Sequence, residues 1–441
     1  MKPVPFPNRL DGAIARFRKL YGEGEVTVLR APARINILGE HVDYVSYLPT
    51  ASLPFGSAEH EMLMLFRAGG DGAVRGASMN PAFEPFEFSI TGEPFSSEPW
   101  ESQIFDRPAP APHWQNYVKG AVFFARWKHG AAIDRGVSFL VDSTIPANSG
   151  ASSSSALVVL GGAAIRLANQ IEYRLDELAR ESAQAEWYPG TRGGALDHTA
   201  ICLAQRGHAV HITHWNQRSE LVPLPDEGFC WITFFSHPAD KGREVMLEYN
   251  ERAAVSRLII PAFWAEVGMD LPETVTLDEM AHLHPEVFRE CERAFPALVK
   301  ERRKQPIKLL DRAKHHLTET VRVKAAVAIK DEISQPVDAL MRVLGQLINL
   351  SHQSLRDLYE VSTPEVERLV EIISNDTQVY GARLMGGGFG GNALALTTAE
   401  NAGALAARVQ REFYAPRGRD AQSEGSVMIS TPGDGLSLLD L

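Results

Sequence analysis

The feature that most constrains the fold of this sequence is a strand, a loop of small polar residues and an apolar helix in direct succession. Residues 137–141 alternate as a half-buried strand does, and residues 156–168 form an apolar stretch with helical character. The loop between them, residues 147–155, reads ANSGASSSS. Small residues before a helix leave backbone N–H groups free, and the helix N-terminus adds partial positive charge. The loop suggests a phosphate site, although a plain turn is the commoner use of such a loop and the lysine of a Walker A loop is missing.

A second glycine-rich loop, GGGFGG, occupies residues 386–391. A dinucleotide-binding loop needs a preceding strand and a trailing acidic residue in a fixed arrangement, and the sequence around this loop does not supply them. We therefore expect these glycines to permit close approach of the backbone to a ligand or to the loop at residues 147–155.

Charged and polar residues are dense in the segment RINILGEHVDY, residues 34–44. Arg34, Glu40, His41 and Asp43 lie within ten positions of one another, in a run otherwise apolar enough to be buried. Buried charges are unfavourable unless they are paired or used. The segment suits an ordinary structural ion pair at a strand end, but four groups able to hydrogen-bond hydroxyls make a polyol pocket an equally good interpretation.

Two carboxylates stand on either side of a glycine-containing turn. Glu186 precedes the turn and Asp197 follows it. Two such groups can divide their roles, one holding a hard cation and the other accepting a proton. Taken alone, the pair also fits a solvated surface.

Strands and helices are mixed along the chain without strict βαβ alternation, which favours an α+β fold with two lobes. Residues 26–38 predict two short strands joined at Ala31–Pro32, and the apolar spacing after Thr363–Pro364 predicts the start of a helix. A change in composition places the domain boundary near residue 210. We expect an N-terminal domain over residues 1–210 and a C-terminal domain over residues 211–441.

The charge balance and the cysteine content exclude several classes of protein. Forty-four Lys and Arg against 55 Asp and Glu give a net charge of −11, whereas a nucleic-acid-binding protein normally has a basic excess. No apolar run approaches the roughly 20 residues of a membrane span, and the N-terminus lacks the apolar core of a signal peptide. Three widely spaced cysteines suit reduced thiols better than disulfides. We expect a cytoplasmic protein without nucleic-acid or membrane partners.

Together, and in this order, the motifs resemble the galactokinase branch of the GHMP sugar kinases, from about residue 15 to about residue 415. The segment 31–44 resembles the sugar-binding signature of that branch, 145–157 its phosphate-binding motif and 381–392 its third motif. Three more segments are similar to family segments, namely 114–120, 312–319 and 351–362. The resemblance implies the two-lobed GHMP kinase fold with its active site in the interdomain cleft. It also implies a monomer or small homo-oligomer that uses ATP and Mg²⁺ to phosphorylate the anomeric hydroxyl of a sugar.

The resemblance also implies a role for individual residues. Asp197 matches the catalytic aspartate, and Arg34 matches the arginine that helps to stabilise the transferring phosphoryl group. The implied sugar ligands are Glu40, His41, Asp43, Gly194 and Tyr249. The implied nucleotide-binding residues are Trp114, which matches an aromatic residue against the adenine, and Asn148, Ser149, Gly150, Ser152, Ser153 and Ser154. The implied Mg²⁺ ligands are Ser154 and Glu186.

Several positions depart from the pattern of the family, and most of them flank the implied sugar site. They are Ser46–Tyr47, Asn148, Ser155 (usually alanine), Arg192 (glutamate in a related subgroup) and His198 (commonly glutamine). Galactose is the favoured substrate because Glu40, His41 and Asp43 are retained. The alternatives are N-acetylgalactosamine or, if Arg192 faces the sugar, galacturonate. A non-catalytic sugar sensor is a further alternative, less favoured because the implied catalytic and metal-binding residues are all present.

Overall fold

Helices and strands alternate irregularly along the chain, as the α+β prediction requires. The structure is a computed structural model and describes residues 6–93, 95–146, 150–190, 192–225, 228–238, 243–332, 335–421, 423 and 425–439. Its α-helices are α1 Phe6–Tyr21, α2 Trp100–Phe105, α3 Gln115–His129, α4 Ser153–Ala168, α5 Leu175–Ala185, α6 Leu196–Leu203, α7 Arg243–Ala254, α8 Ile260–Val267, α9 Leu277–Leu283, α10 Pro285–Ala294, α11 Pro296–Arg302, α12 Leu309–Ala328, α13 Val337–Asp357, α14 Pro364–Ser374 and α15 Ala402–Val409. Its strands are β1 Thr27–Asn36, β2 Ala51–Ser52, β3 Pro54–Ala68, β4 Ala73–Ser78, β5 Phe86–Ser89, β6 Val137–Ser143, β7 His208–Thr213, β8 Arg218–Pro223, β9 Phe229–His237, β10 Thr274–Val275, β11 Ile307–Lys308, β12 Val379–Met385, β13 Gly391–Thr398, β14 Val427–Ser430, β15 Pro432–Gly433 and β16 Ser437–Leu439.

The first large sheet has the strand order β16-β1-β3-β6-β4-β5, and β15 also pairs with β3. Successive residues of a strand point to opposite faces, and both faces of this sheet are covered. Leu29 and Met64 belong to the core that the sheet forms with α3 and α4, whereas Val28 and Leu65 pack with Phe17 of α1. The strand–loop–helix unit predicted from the sequence is therefore built into one wall of this core, as β6 and α4.

The second large sheet has the order β12-β13-β9-β14, with antiparallel pairings throughout. Ile232 and Leu384 pack with α14 and α15 in one core. Trp231 and Leu394 belong to another core, which contains residues of α12 and α13 together with Ile37 from the segment after β1. That core brings the 34–44 segment against the second sheet.

Of two local predictions from the sequence, the helix start after Thr363–Pro364 is confirmed and the strand break at Ala31–Pro32 is wrong. Thr363 caps α14, its side chain accepting a hydrogen bond from Val366 N–H at 3.4 Å, so the predicted helix start is confirmed. The prediction of two strands joined at Ala31–Pro32 is wrong, because β1 is continuous through them. Pro32 has no N–H to donate, and the pairing with β3 shifts register between Pro32 and Arg34 instead of ending there.

The predicted boundary at residue 210 stays a prediction. Strands β15 and β16, near the end of the chain, pair with the first sheet, while β14 pairs with the second. Among the helices that the structure describes, none is long and apolar enough to cross a membrane.

We expect Gly345→Ala to destabilise the fold. A Cβ atom on Gly345 of α13 would lie 2.1 Å from the carbonyl oxygen of Tyr380, because α13 packs directly on β12 there. Relief of that clash requires the helix to move, and overpacking of this kind lowers the free energy of unfolding by about 1–3 kcal/mol. Urea unfolding of the purified protein measures the change.

Gly403→Ala is the matched control for this prediction. Gly403 also lies in a helix, α15, but a Cβ atom there would meet no atom within 4 Å. Alanine at this position should leave stability unchanged or raise it by up to about 1 kcal/mol. Equal stability changes in the two variants would contradict the close contact between α13 and β12.

Candidate active site

A cavity of about 160 Å³ lies beside the end of β1, the N-terminus of α4 and the turn after β12. Nine of the residues predicted from the sequence line it, namely Arg34, Glu40, His41, Asp43, Ser154, Glu186, Gly194, Asp197 and Tyr249. Its lining also contains residues to which the sequence assigned no role, namely Tyr44, Ser155, Ala183, Trp187, Gly193, Leu196, His198, Gly386 and Gly387. Segments separated by more than 300 positions therefore meet at one site.

An ion pair between Arg34 and Asp197 forms one side of the cavity. Arg34 Nε donates to Asp197 Oδ1 at 2.7 Å, and the arginine is only 4% exposed. Ser152 Oγ donates to the other carboxylate oxygen at 2.5 Å. Burial alone would raise the pKa of Asp197, but the charge and hydrogen bond of Arg34 and the bond from Ser152 outweigh it, so the pKa lies below its usual value. Asp197 is therefore ionised at neutral pH.

The loop before α4 is tied to this ion pair. Arg34 Nη1 donates to the carbonyl of Gly150 at 3.2 Å, and Ser152 adopts a left-handed backbone conformation (φ 62°) directly before the helix starts at Ser153. The side chain of Ser152 contacts Asp197, and neither Ser152 nor Ser153 is among the residues that line the cavity. Their predicted role toward phosphates therefore depends on backbone N–H groups at the start of α4.

The two glycine loops lie against each other. A Cβ atom on Gly150 would be 3.1 Å from the carbonyl oxygen of Met385, and one on Gly386 would be 3.1 Å from the carbonyl oxygen of Gly150. Both glycines have positive φ angles, 81° and 92°. The predicted close approach of one loop to the other is confirmed.

The carboxylate of Glu40 joins the 34–44 segment to the glycine turn after β12. Glu40 Oε1 accepts the N–H of Gly386 at 2.7 Å and Nη2 of Arg383 at 3.1 Å. Arg383 is fully buried and also donates to the carbonyls of Asn36, at 2.5 Å, and Ile37, at 2.8 Å. Glu40 is thus a structural partner as well as a lining residue of the cavity.

Neutral hydrogen-bonding groups form the wall around His41. Its Nδ1 is 2.6 Å from Tyr44 Oη, while its buried Nε2 has no hydrogen-bond partner among the described residues. Burial lowers the pKa of His41 to about 3, so the ring is uncharged at neutral pH. Tyr249 of α7 lies next to it, with ring centroids 6.1 Å apart, and burial raises the pKa of its phenol. Both groups can hydrogen-bond a ligand hydroxyl.

Asp43 is the second carboxylate of the cavity and differs from Asp197 in its environment. Burial, and then the negative charge of Asp197, raise the pKa of Asp43 to about 6. The N–H of Leu196 donates to Asp43 Oδ2 at 3.4 Å. Gly194 fits closely against it, because a Cβ atom at that position would lie 2.5 Å from Oδ2. Position 194 therefore requires glycine, because Asp43 leaves no room there for a side chain.

Glu186, at the end of α5, faces the cavity beside Ser154. Its Oε2 accepts a hydrogen bond from Ser155 Oγ at 2.8 Å and lies 2.7 Å from Nε2 of His198. A carboxylate and a hydroxyl that open into the same cavity fit Mg²⁺, which proteins usually bind through one or two carboxylates together with substrate phosphates. In the part of the chain that the structure describes, no cluster of three or more His, Cys, Asp or Glu side chains offers a more complete metal site.

Of the predicted nucleotide-binding residues that the structure describes, only Ser154 lines the cavity. Asn148 and Ser149 lie outside the described residues. Trp114 precedes α3, where its Nε1 donates to the carbonyl of Glu84 at 2.8 Å and its ring packs on Phe86 with centroids 4.6 Å apart. The predicted contact of Trp114 with adenine stays a prediction.

Some positions that depart from the family pattern lie behind the cavity wall and do not line it. Tyr47 Oη is 2.8 Å from Nδ1 of His316. Arg192 is buried over the ring of Phe105, with its guanidinium 4.8 Å from the centroid, and donates to the carbonyl of Trp187. Because Arg192 is absent from the cavity lining, the geometry does not favour the acidic-sugar alternative.

Two arginines that hold the site together were missed by sequence reasoning. Arg383 lies inside the third motif, whose recognisable pattern consists of its glycines. Arg257 Nη2 donates to the carbonyl of Gly193 at 2.7 Å, from a π-helical turn at Val255–Ile259 that no sequence pattern indicated. Ser155 and His198 do carry a signal in the sequence, because both depart from the pattern of the family.

Comparison with known families supports these motifs independently. The model of the GHMP kinases N terminal domain matches residues 116–205, and that of the GHMP kinases C terminal domain matches residues 337–415. The galactokinase galactose-binding signature matches residues 15–51, which include the cavity residues from Arg34 to Tyr44.

Similar proteins extend over nearly the whole chain. A galactokinase of Chloroflexus aurantiacus is 29% identical over 440 residues, covering 97% of each chain, and one of Lactococcus lactis is 28% identical, covering 98% of this chain and 97% of its own. The crystal structure of Lactococcus lactis galactokinase complexed with galactose superposes with a TM-score of 0.75 at 26% identity, over 98% of this chain and 100% of that one. A mevalonate kinase structure shares the fold at 14% identity, with a TM-score of 0.55 over 92% of this chain and 99% of that one.

We expect Asp43→Asn to stabilise the ligand-free protein at pH 7. The folded-state pKa of Asp43, about 6, lies above the usual unfolded value, so ionisation of this carboxyl destabilises the native state as the pH rises from about 4 to 7. Asparagine removes that penalty, and the gain of about 1–2 kcal/mol should shrink toward pH 4, where the native carboxyl is protonated. Thermal unfolding between pH 4 and pH 7 measures it.

Asp197→Asn serves as the control with the opposite sign. The pKa of Asp197 is lowered in the native state, so its ionised form stabilises the fold above the unfolded pKa. The variant leaves buried Arg34 without its anionic partner and should lower stability most at neutral pH. Stability changes of the same sign in both variants at pH 7 would contradict the assigned electrostatics.

Proposed function

The chain belongs to the galactokinase branch of the GHMP kinases, and from this we propose that it transfers the γ-phosphoryl group of ATP to the anomeric hydroxyl of galactose. The products are galactose 1-phosphate and ADP. The observation that carries the proposal is the Arg34–Asp197 ion pair, which faces a cavity whose remaining polar groups suit a polyol.

Recognition of the sugar is assigned to neutral and anionic acceptors and donors on the cavity wall. Uncharged His41 and Tyr249 offer hydrogen bonds without a charge, and Asp43 accepts bonds from hydroxyls. Glu40 and Gly194 complete the assigned set. Galactose is proposed because these residues are present together in one cavity and because the similar proteins over the full length are galactokinases.

The chemical step requires a proton acceptor near the attacking hydroxyl. In the proposed reaction the sugar O1 forms a bond to the γ-phosphorus while the bond from that phosphorus to the bridging oxygen of ADP breaks. The proton of O1 passes to a carboxylate oxygen of Asp197, which Arg34 keeps ionised, and then to solvent. Positioned acid–base groups typically contribute about 10²–10⁴-fold in rate.

Arg34 has a second assigned role. Phosphoryl transfer is catalysed mainly by positioning and by stabilisation of charge on the moving phosphoryl group. Arg34 is held by Asp197 and by the carbonyl of Gly150, so its guanidinium is fixed between the carboxylate and the loop before α4. A fixed cation of this kind stabilises developing charge without reorganisation.

Nucleotide and cation are assigned to the loop before α4 and to Glu186. The loop before α4 (Asn148, Ser149, Gly150, Ser152, Ser153 and Ser154) would hold the phosphates, and Trp114 would pack on the adenine. Ser154 and Glu186 would hold Mg²⁺, since both open into the cavity. When bound, the cation neutralises charge on the phosphates.

We expect ADP release from Mg·ATP with galactose, and little with glucose, in a coupled assay. Asp197→Ala should lower kcat by about 10²–10⁴-fold while galactose still raises the melting temperature. Asp338→Asn, a substitution of an exposed aspartate on α13, is the control and should retain full activity.

The same assay distinguishes the alternatives. Turnover of N-acetylgalactosamine or galacturonate in place of galactose would replace the proposed substrate. Galactose binding by the wild-type protein without ADP release would overturn the kinase assignment in favour of a sugar sensor.

A further inference from the structure

Two buried side chains, those of Ser155 and His198, approach the same carboxylate oxygen of Glu186. Ser155 Oγ donates to Oε2 at 2.8 Å, and Nε2 of His198 lies 2.7 Å from that atom. The other oxygen, Oε1, has no polar partner among the described residues. Among the described residues, the protein therefore contacts one oxygen of this carboxylate and not the other.

Ser155 and His198 are almost completely buried, and both line the cavity. Ser155 is 2% exposed and His198 is 3% exposed, in a region otherwise rich in apolar side chains such as Ala156 and Leu196. Buried hydroxyl and imidazole groups are unfavourable unless they make hydrogen bonds. Ser155 satisfies this requirement through its hydrogen bond to Glu186 Oε2. Neither ring nitrogen of His198 makes a hydrogen bond among the described residues, so His198 acts on the same oxygen through its close approach alone.

Ser155 and His198 each directly follow, in the sequence, a residue of the candidate site. Ser155 follows Ser154, and His198 follows Asp197. Ser155 Oγ is also 3.5 Å from Asp197 Oδ2, so the assigned cation ligand and the assigned proton acceptor share a neighbour. Their relative position is thereby fixed by side chains that belong to neither role.

We propose that Ser155 and His198 are positioning residues that reserve Oε2 of Glu186 for the protein, leave Oε1 as its only oxygen free for a cation, and thereby favour Mg²⁺ over Ca²⁺. The inference rests on the proposed function, because the cation is assigned to Ser154 and Glu186 there. Mg²⁺ is small and requires a compact octahedral set, usually with one oxygen from each carboxylate. Ca²⁺ accepts six to eight oxygens and often takes both oxygens of a carboxylate. A Glu186 restricted to one oxygen suits the first ion and not the second.

The substitutions that test this are Ser155→Ala and His198→Gln. Each substitution removes or alters one contact to Oε2. Each also introduces the residue that the family commonly has at that position. Partners that orient a metal ligand typically contribute about 10- to 100-fold in metal affinity. Each variant should therefore weaken Mg²⁺ by about that factor, affect Ca²⁺ less, and lower the Mg²⁺/Ca²⁺ affinity ratio.

The measurement is binding, independent of turnover. The melting temperature of the full chain, saturated with galactose and a non-hydrolysable ATP analogue, is followed as MgCl₂ or CaCl₂ is titrated. The midpoints give the ratio for each variant. Binding of the analogue without added cation is measured by calorimetry and should be equal in wild type and variants, since damage to the fold would weaken it.

His211→Gln is the matched control. His211 forms a similar contact to Glu220, 3.0 Å from Nδ1 to Oε1, on the β7–β8 hairpin and outside the cavity lining. This variant should keep the wild-type midpoints for both ions.

Two outcomes are decisive and separate the inference from the proposed function. Wild-type midpoints for both ions in Ser155→Ala and His198→Gln would overturn the positioning role while leaving the kinase assignment intact. Failure of the wild-type protein to bind the analogue with either cation would overturn the proposed function, and the inference with it.

Discussion

The buried guanidinium of Arg383 is the contact on which the rest of the site depends. It has no exposed surface, so its charge is tolerable only with a full set of partners, which are the carbonyls of Asn36, Ile37 and Leu384 and the carboxylate of Glu40. Glu40 in turn fixes the N–H of Gly386. Gly386 lies against Gly150, whose carbonyl accepts from Arg34, and Arg34 holds Asp197. One requirement for charge pairing therefore sets the position of the catalytic candidate across several contacts.

Two carboxylates in one cavity have opposite electrostatic environments. Asp197 faces a guanidinium and a hydroxyl, which lower its pKa, whereas Asp43 is buried beside Asp197, which raises its pKa. Carboxylates whose pKa values are pushed apart in this way can take different roles. The ionised one is suited to accept a proton, and the other to bind hydroxyls. The arrangement sacrifices stability of the ligand-free state at neutral pH for a polar cavity, a common trade at functional sites.

Sequence reasoning found what lies in compact motifs and missed what connects them. Arg34 to Asp43 are close in sequence, so their density in an apolar run was visible, and the order of the motifs supplied their link to Asp197. Arg383 was overlooked because a single arginine among glycines has no pattern, and Arg257 because its π-helical turn has none either. The break expected at Pro32 assumed that a missing N–H ends a strand, whereas the sheet absorbs it as a change of register. Contacts such as Arg257 with Gly193 depend on tertiary structure alone, and no spacing encodes them.

Two of the positions that depart from the family pattern, Ser155 and His198, directly follow the assigned residues Ser154 and Asp197 near the starts of helices α4 and α6. Neighbouring residues on a helix point about 100° apart, so Ser154 and Ser155 both line the cavity while Ser155 is the one that donates to Glu186. Asp197 and His198, at the start of α6, also both line the cavity. A change at the second residue of each pair alters the surroundings of the Glu186 carboxylate without replacing the assigned residue before it. At Ser155 and His198, two departures from the family pattern therefore approach a single oxygen atom of Glu186.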